Sequence, residues 1–238
     1  WNALIGGYNQ HGKYYESLDC FDLMQKEGLS PDVITFTCIL KACGNLRDSE
    51  KGKQIHEHIL GKRLLDKDIV LSNALVDMYV KCGMLVKAQE ALEELPTRDV
   101  VSWNSLIAGF CQGNRTREVL ECFELMKYEG LSPDAVTFVS VLKVCGNIGA
   151  VEKGEEIHSE IVRAGLMETN CFLENTLMDM YAKCGAIDKV RQVFDERRTQ
   201  DVVSWNILLR GNCQLERIED ILHCFNRILC EGLCPDRE

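Results

Sequence analysis

From Trp103 onward, apolar side chains fall at 103, 106, 107, 110 and 111, which places them on one stripe of a 3.6-residue helix. Gly113 and Asn114 interrupt the run. A second stripe follows at Val119, Leu120, Cys122, Phe123 and Met126, with Thr116 as its expected N-cap. Gly130 suits the left-handed position just past that helix, and Pro133 prevents its continuation. A lone pair of amphipathic helices cannot bury both faces, so the pattern predicts like pairs stacked on one another.

The rest of the chain repeats this unit. Trp1, Trp103 and Trp205 lie 102 residues apart, as do Gly28, Gly130 and Gly232 and then Pro31, Pro133 and Pro235. Residues 1–35 and 103–137 are identical at 19 of 35 positions, and NALVDMYVKCG from Asn73 matches NTLMDMYAKCG from Asn175. Within each 102-residue period, similar amphipathic segments begin 35, 36 and 31 residues apart. The chain then divides into segments 1–32, short at its front, 33–68, 69–99, 100–134, 135–170, 171–201 and 202–236. The expected fold is all-α, a single superhelical solenoid of stacked helix-turn-helix units.

Composition narrows the class. Hydrophobic residues make up 46% of 238, enough to offset the entropy of ordering, and only 4 are proline. No stretch approaches the roughly 18 apolar residues of a membrane helix, so no membrane partner is expected. The chain opens at Trp1 with no basic-then-apolar leader, which reads as a fragment with any targeting peptide outside it. Thirteen cysteines include no CxxC. They keep phase with the repeat (Cys20/Cys122/Cys224, Cys43/Cys145, Cys82/Cys184, Cys111/Cys213), as packing residues do, so neither metal nor cofactor is expected.

The 35/36/31 alternation, the Asn after each Trp and the closing Gly130-Leu131-Ser132-Pro133-Asp134 resemble the pentatricopeptide repeat (PPR) family, in its plant-type subclass of alternating P, L and S motifs. The order here is P-L-S-P-L-S-P. That resemblance implies sequence-specific binding of single-stranded RNA, one base per motif, read by the first helix of each pair. It implies a base-edge residue at the fifth position of a motif, assisted by the motif's last residue. These pairs are Asn2 with Asp32, Thr37 with Asp68, Asn73 with Asp99, Asn104 with Asp134, Asn175 with Asp201 and Asn206 with Asp236. Val139 with Asn170 departs from the pattern, and that base should go unread. The family's second-position wedges between bases would be Ile34, Val70, Val101, Val136, Phe172 and Val203. Asn with Asp resembles the family's pyrimidine-preferring pair, so the expected ligand is a pyrimidine-rich RNA, 5′-U-(G)-Y-U-N-Y-U-3′. The P-L-S order is associated with C-to-U RNA editing in a mitochondrion or chloroplast, with editing-complex proteins as further partners.

The formal charge of −10 argues against indiscriminate nucleic-acid binding. Its distribution matters more than its total. The second to thirteenth positions of the seven motifs sum to +2, leaving −12 elsewhere, so the base-reading helices need not repel RNA. Lys81 and Lys183, at corresponding places, could meet phosphates. The capping role of an Asp before a helix explains the Asp residues equally well, but not the recurrent Asn. His158-Ser159-Glu160 is half of a zinc-deaminase signature, yet no P-C-x-x-C accompanies it and His56-Glu57-His58 is its repeat equivalent, so no catalysis is expected. The alternative reading is a protein-binding, tetratricopeptide-like scaffold, which the acidic total keeps open. Uncovered stacking surfaces at both ends predict self-association.

Overall fold

A computed structural model describes residues 1–65, 68–167, 170–197 and 200–230. Among them are fourteen α-helices and no strand, in seven consecutive pairs. The pairs are α1 (Asn2–Gln10) with α2 (Tyr14–Lys26), α3 (Val33–Leu46) with α4 (Ser49–Gly61), α5 (Ile69–Lys81) with α6 (Leu85–Glu94) and α7 (Val100–Gln112) with α8 (Thr116–Tyr128). They continue with α9 (Ala135–Ile148) and α10 (Val151–Arg163), α11 (Cys171–Lys183) and α12 (Ile187–Glu196), and α13 (Val202–Gln214) and α14 (Ile218–Cys230). Two compact units divide after Ser132. No helix among the described residues is long and apolar enough to cross a membrane.

Each first helix from α3 onward starts one residue after a side chain that caps it. The Oδ1 atoms of Asp32, Asp68, Asp99, Asp134, Asn170 and Asp201 accept from backbone amides three residues on, at 2.7–3.0 Å. Four of these ends close as capping boxes, in which Thr35, Ser102, Thr137 or Ser204 returns a bond to the cap's own amide. Such caps are worth about 1 kcal/mol each and set where each helix begins. At the other end, α2 and α8 stop against Gly28 and Gly130, with φ of 77° and 80°, where a Cβ would be strained.

One expectation fails. Thr116 does not cap α8; it is that helix's first residue. Asn114 takes the left-handed turn conformation (φ 54°), so Arg115 carries the first helical carbonyl, accepting from Val119 at 3.2 Å. Arg115 Nε donates to Glu118 at 2.7 Å, and its guanidinium lies 5.1 Å from the centre of the Phe110 ring.

Within the unit of α1–α8, consecutive first helices pack on one another, α1 on α3, α3 on α5 and α5 on α7, each also packing its own second helix. In the other unit α9 packs on α11 and α11 on α13. Buried Phe21 and Phe36, with ring centres 6.3 Å apart, belong to neighbouring pairs, as do Phe194 and Trp205 at 4.5 Å. The closest approaches occur at glycine. A Cβ on Gly44 would lie 3.3 Å from Met78 Cα, and one on Gly146 3.1 Å from Met180 Cα. His56 and His158 fasten second helices to the next first helix, with Nδ1 at 2.9 and 3.0 Å from the hydroxyls of Tyr79 and Tyr181. His158 therefore spends its polar group on a scaffold contact that His56 repeats.

Candidate nucleic-acid interface

The capping geometry leaves a second carboxylate oxygen free, and that oxygen meets the preceding motif. Asn73 Nδ2 donates to Asp99 Oδ2 at 3.1 Å, and Asn175 Nδ2 to Asp201 Oδ2 at 3.3 Å. Asn2 Nδ2 lies 2.9 Å from Asp32 Oδ2 and 3.1 Å from Oδ1. The same carboxylate thus caps one helix and orients an amide on the helix before it. Burial alone would raise the Asp32 and Asp201 pKa values. Bonds from Thr35 and Asn2, and from Ser204, Asn175 and Arg197, outweigh it and hold both carboxyls below their ordinary value. They stay ionised and acceptor-only at neutral pH.

The six proposed wedges share one environment. Ile34, Val70, Val101, Val136, Phe172 and Val203 are 54–62% exposed, unlike the buried apolar residues around them. Each lies three residues before the motif's fifth position, hence on the same helix face. Large apolar side chains left this open at every corresponding site form a platform on which a planar ring can stack.

One predicted pair does not form. Thr37 and Asp68 share no hydrogen bond, because the Thr37 hydroxyl donates back to Val33 O at 2.8 Å and Asp68 serves as a cap. Val139 is half-buried and apolar, and its partner Asn170 is likewise a cap. Asn104 is half-buried on α7, and Asp134 caps α9. Asn206 is exposed on α13, whereas Asp236 lies outside the described residues.

The seven first helices hold three acidic residues, each paired with a cation. Asp77 pairs with Lys81 at 2.9 Å, Asp179 with Lys183 at 3.0 Å and also with Arg210, and Glu174 with Arg197 at 2.9 Å. Lys81 and Lys183 are therefore already matched by a carboxylate one turn back, and a phosphate would have to share them. The 102-residue recurrence of Lys41 and Lys143 points to cations that the motif reading passed over. Both are exposed on first helices, and the Lys143 ammonium lies 5.7 Å from the centre of the Phe172 ring.

Among the described cysteines, Cys20, Cys43, Cys122, Cys145 and Cys224 are buried between packed helices, while Cys171 and Cys213 are exposed. Burial pushes the thiols of Cys43 and Cys122 up to about 12 and that of Cys145 to about 11, which keeps them protonated and unreactive. Among the described residues no three His, Cys, Asp or Glu side chains gather as a metal site.

Models of the PPR repeat family match residues 1–45 and 98–147, and those of the PPR repeat match 70–100, 136–166, 175–196 and 203–233. Pentatricopeptide repeat-containing protein At2g33680 of Arabidopsis thaliana is 34% identical over 99% of this chain and 32% of its own length. Two more from that plant, At3g09040, mitochondrial, and At1g15510, chloroplastic, are 35% and 34% identical over 99% of this chain, which covers 23% and 27% of them. The chain spans about a third or less of the length of these relatives. Among solved structures, PPR10 in complex with an 18-nucleotide psaJ RNA element superposes with a TM-score of 0.80 at 22% identity, covering 98% of this chain and 35% of that one. Nuclear proteinaceous RNase P 2 from A. thaliana gives 0.59 at 11% identity, over 80% of this chain and 44% of that one. Both likenesses are of fold, an α-solenoid of helix pairs.

Proposed function

The chain belongs to the pentatricopeptide repeat family, and from that premise we propose that it reads single-stranded RNA, one base per motif. The observation that carries this is the amide–carboxylate bond between the fifth residue of a motif and the cap of the next helix, with an open wedge three residues earlier. An amide offers a donor and an acceptor, which is what a pyrimidine edge requires. PPR10, which shares the fold, was crystallised with RNA.

The motifs are read as alternating P, L and S units bounded as the segments above. Asn2, Asn73, Asn104, Asn175 and Asn206 select pyrimidines, while Thr37 and Val139 contribute less. Such a tract would direct a processing activity, C-to-U editing by the P-L-S order, with the catalysis supplied by other residues than these. The compartment proposed is a mitochondrion or chloroplast, as named for At3g09040 and At1g15510.

Selection from a random RNA pool, followed by Asn104→Thr, tests the reading. Enrichment of a pyrimidine-rich heptamer is expected, and the variant should move the fourth base from uridine towards guanosine, at a cost of about 1–3 kcal/mol on the original site. Equal loss for every fourth base would make Asn104 a helix-supporting residue. Failure to enrich any RNA would favour a protein-binding scaffold.

A further inference from the structure

The motifs 69–99 and 171–201 have equal length and the same Asn–Asp pair, yet a buried couple beneath that pair differs. Ser72 and Leu95 in the first are Glu174 and Arg197 in the second. Leu95 ends α6 as a core residue. Arg197, at the same place after α12, has a side chain only 2% exposed. Its guanidinium reaches four groups: Nε is 2.9 Å from Glu174 Oε2, Nη1 donates to Asn175 Oδ1 at 2.5 Å and lies 3.8 Å from Met178 Sδ, and Nη2 lies 3.5 Å from Asp201 Oδ2. A buried guanidinium is tolerated only while its charge and donors are matched. Arg197 therefore cannot release these partners without losing what keeps it inside.

The consequence falls on the amide of Asn175. Its oxygen is turned to the buried Arg197 and one N–H to Asp201, so the second N–H is the group left for an outside partner unless both bonds break. Asn73 makes the same bond to Asp99, but its buried Oδ1 has no partner. An unsatisfied carbonyl of that kind carries a penalty, and rotation of the amide to meet an outside donor relieves it. In Asn2 the oxygen accepts from the Thr35 hydroxyl at 2.7 Å, which has Asp32 Oδ1 at 2.8 Å as an alternative acceptor and can let go. Asn175 alone among these three is pinned by a charge.

Uridine shows a donor, N3–H, beside its carbonyl O4, and an amide that needs to give up only its Asp bond to turn can satisfy both. Cytidine shows an acceptor at N3, beside its N4 amino donor, so an N–H set against N3 is satisfied by cytidine and meets uridine's N3–H donor to donor. We propose that Arg197 is a positioning residue for specificity: by holding the oxygen of Asn175 inwards it leaves an N–H as the amide's outward group, so the sixth motif favours cytidine over uridine relative to the third. This rests on the reading of Asn73 and Asn175 as base-contacting residues.

The test uses the full chain and RNA heptamers that vary only at the third and sixth bases. For the wild type, the uridine-to-cytidine ratio of affinities should be roughly threefold to tenfold lower at the sixth base than at the third, the scale of one hydrogen bond. The double variant E174S/R197L installs the neutral couple that the other motif already folds around. It should raise the sixth ratio to that of the third and leave the third unchanged. Equal ratios at the two bases in the wild type would overturn the proposal, and that measurement needs no variant to fold. So would a sixth ratio unmoved in E174S/R197L. If neither base matters and Asn73→Ala leaves binding intact, the base-reading function itself falls, a result distinct from the first two.

Discussion

Asp99 joins two jobs that substitution can separate. Its Oδ1 accepts from the Ser102 amide at 2.8 Å and caps α7, while Oδ2 accepts from Asn73 at 3.1 Å and orients the amide proposed to read the third base. In Asp99→Ala both are lost. The cap is worth about 1 kcal/mol, and a half-buried amide deprived of its acceptor costs roughly another 1 kcal/mol, so the unfolding free energy should fall by about 2 kcal/mol. Asp99→Ser keeps a good N-cap and loses only the contact to Asn73, so its cost should be about half as large. Urea unfolding of the two variants measures this difference. RNA binding then distinguishes the roles. Both variants should lose discrimination at the third base by roughly threefold to tenfold, the net worth of one hydrogen bond. Only Asp99→Ala, which frays the start of α7 beneath Val101 and Asn104, should also blunt the fourth. If Asp99→Ser retains full discrimination at the third base, the carboxylate is a cap and nothing more.

Burial, above all, lowers the pKa of His56 and of His158 below 6.5, so the folded state prefers both rings neutral. Stability should hold above pH 6.5 and fall as pH drops below it, where the unfolded chain takes up protons that the folded chain refuses; thermal melts of wild type and H56Q/H158Q should differ in slope there. The depressed carboxyls of Asp32 and Asp201 act in a separate window, their contribution being lost only below about pH 4. Gly146→Val would press a branched side chain onto the Met180 backbone and should cost about 1–3 kcal/mol by urea unfolding. Gly7→Ala meets nothing within 4 Å and should be neutral or stabilising by up to about 1 kcal/mol; equal effects would refute the close-packing argument.

The first helices from α3 onward were legible because each carries its own start signal and its own stripe. Asp or Asn precedes every first helix from α3 on, and the apolar spacing follows at once. Thr116 misled because a good cap residue stood beside the turn, while the left-handed Asn114 let the helix begin one residue earlier. The six wedge positions were named through the family resemblance, and the structure adds that all six stand exposed. Arg197 was not found, although the paired replacement of Ser72 and Leu95 by Glu174 and Arg197 stood in the 102-residue comparison. Distance along the chain hides such a couple, because Glu174 and Arg197 meet only after α11 and α12 fold back on one another. Lys81 and Lys183 were singled out without the Asp four residues before each, a spacing that a helix turns into a contact.

The caps also explain how the amides proposed to read bases are held in one orientation on stacked helices. An Asn that points at solvent from a single helix would sample several rotamers and read any base poorly. Here its orienting carboxylate belongs to the following motif and is itself fixed by that helix's first amides, as with Asp99 between Asn73 and Ser102. Order at one base therefore depends on the folding of the next repeat. On the proposed reading, specificity and stacking are coupled within each unit: a substitution that loosens α7 should blur the base assigned to α5. Thr37, whose hydroxyl turns inward to Val33 and ignores Asp68, lacks this coupling. A substitution that loosens α5 should therefore leave whatever base lies at α3 read as before, and that asymmetry follows from one hydrogen bond present in one motif and absent in the other.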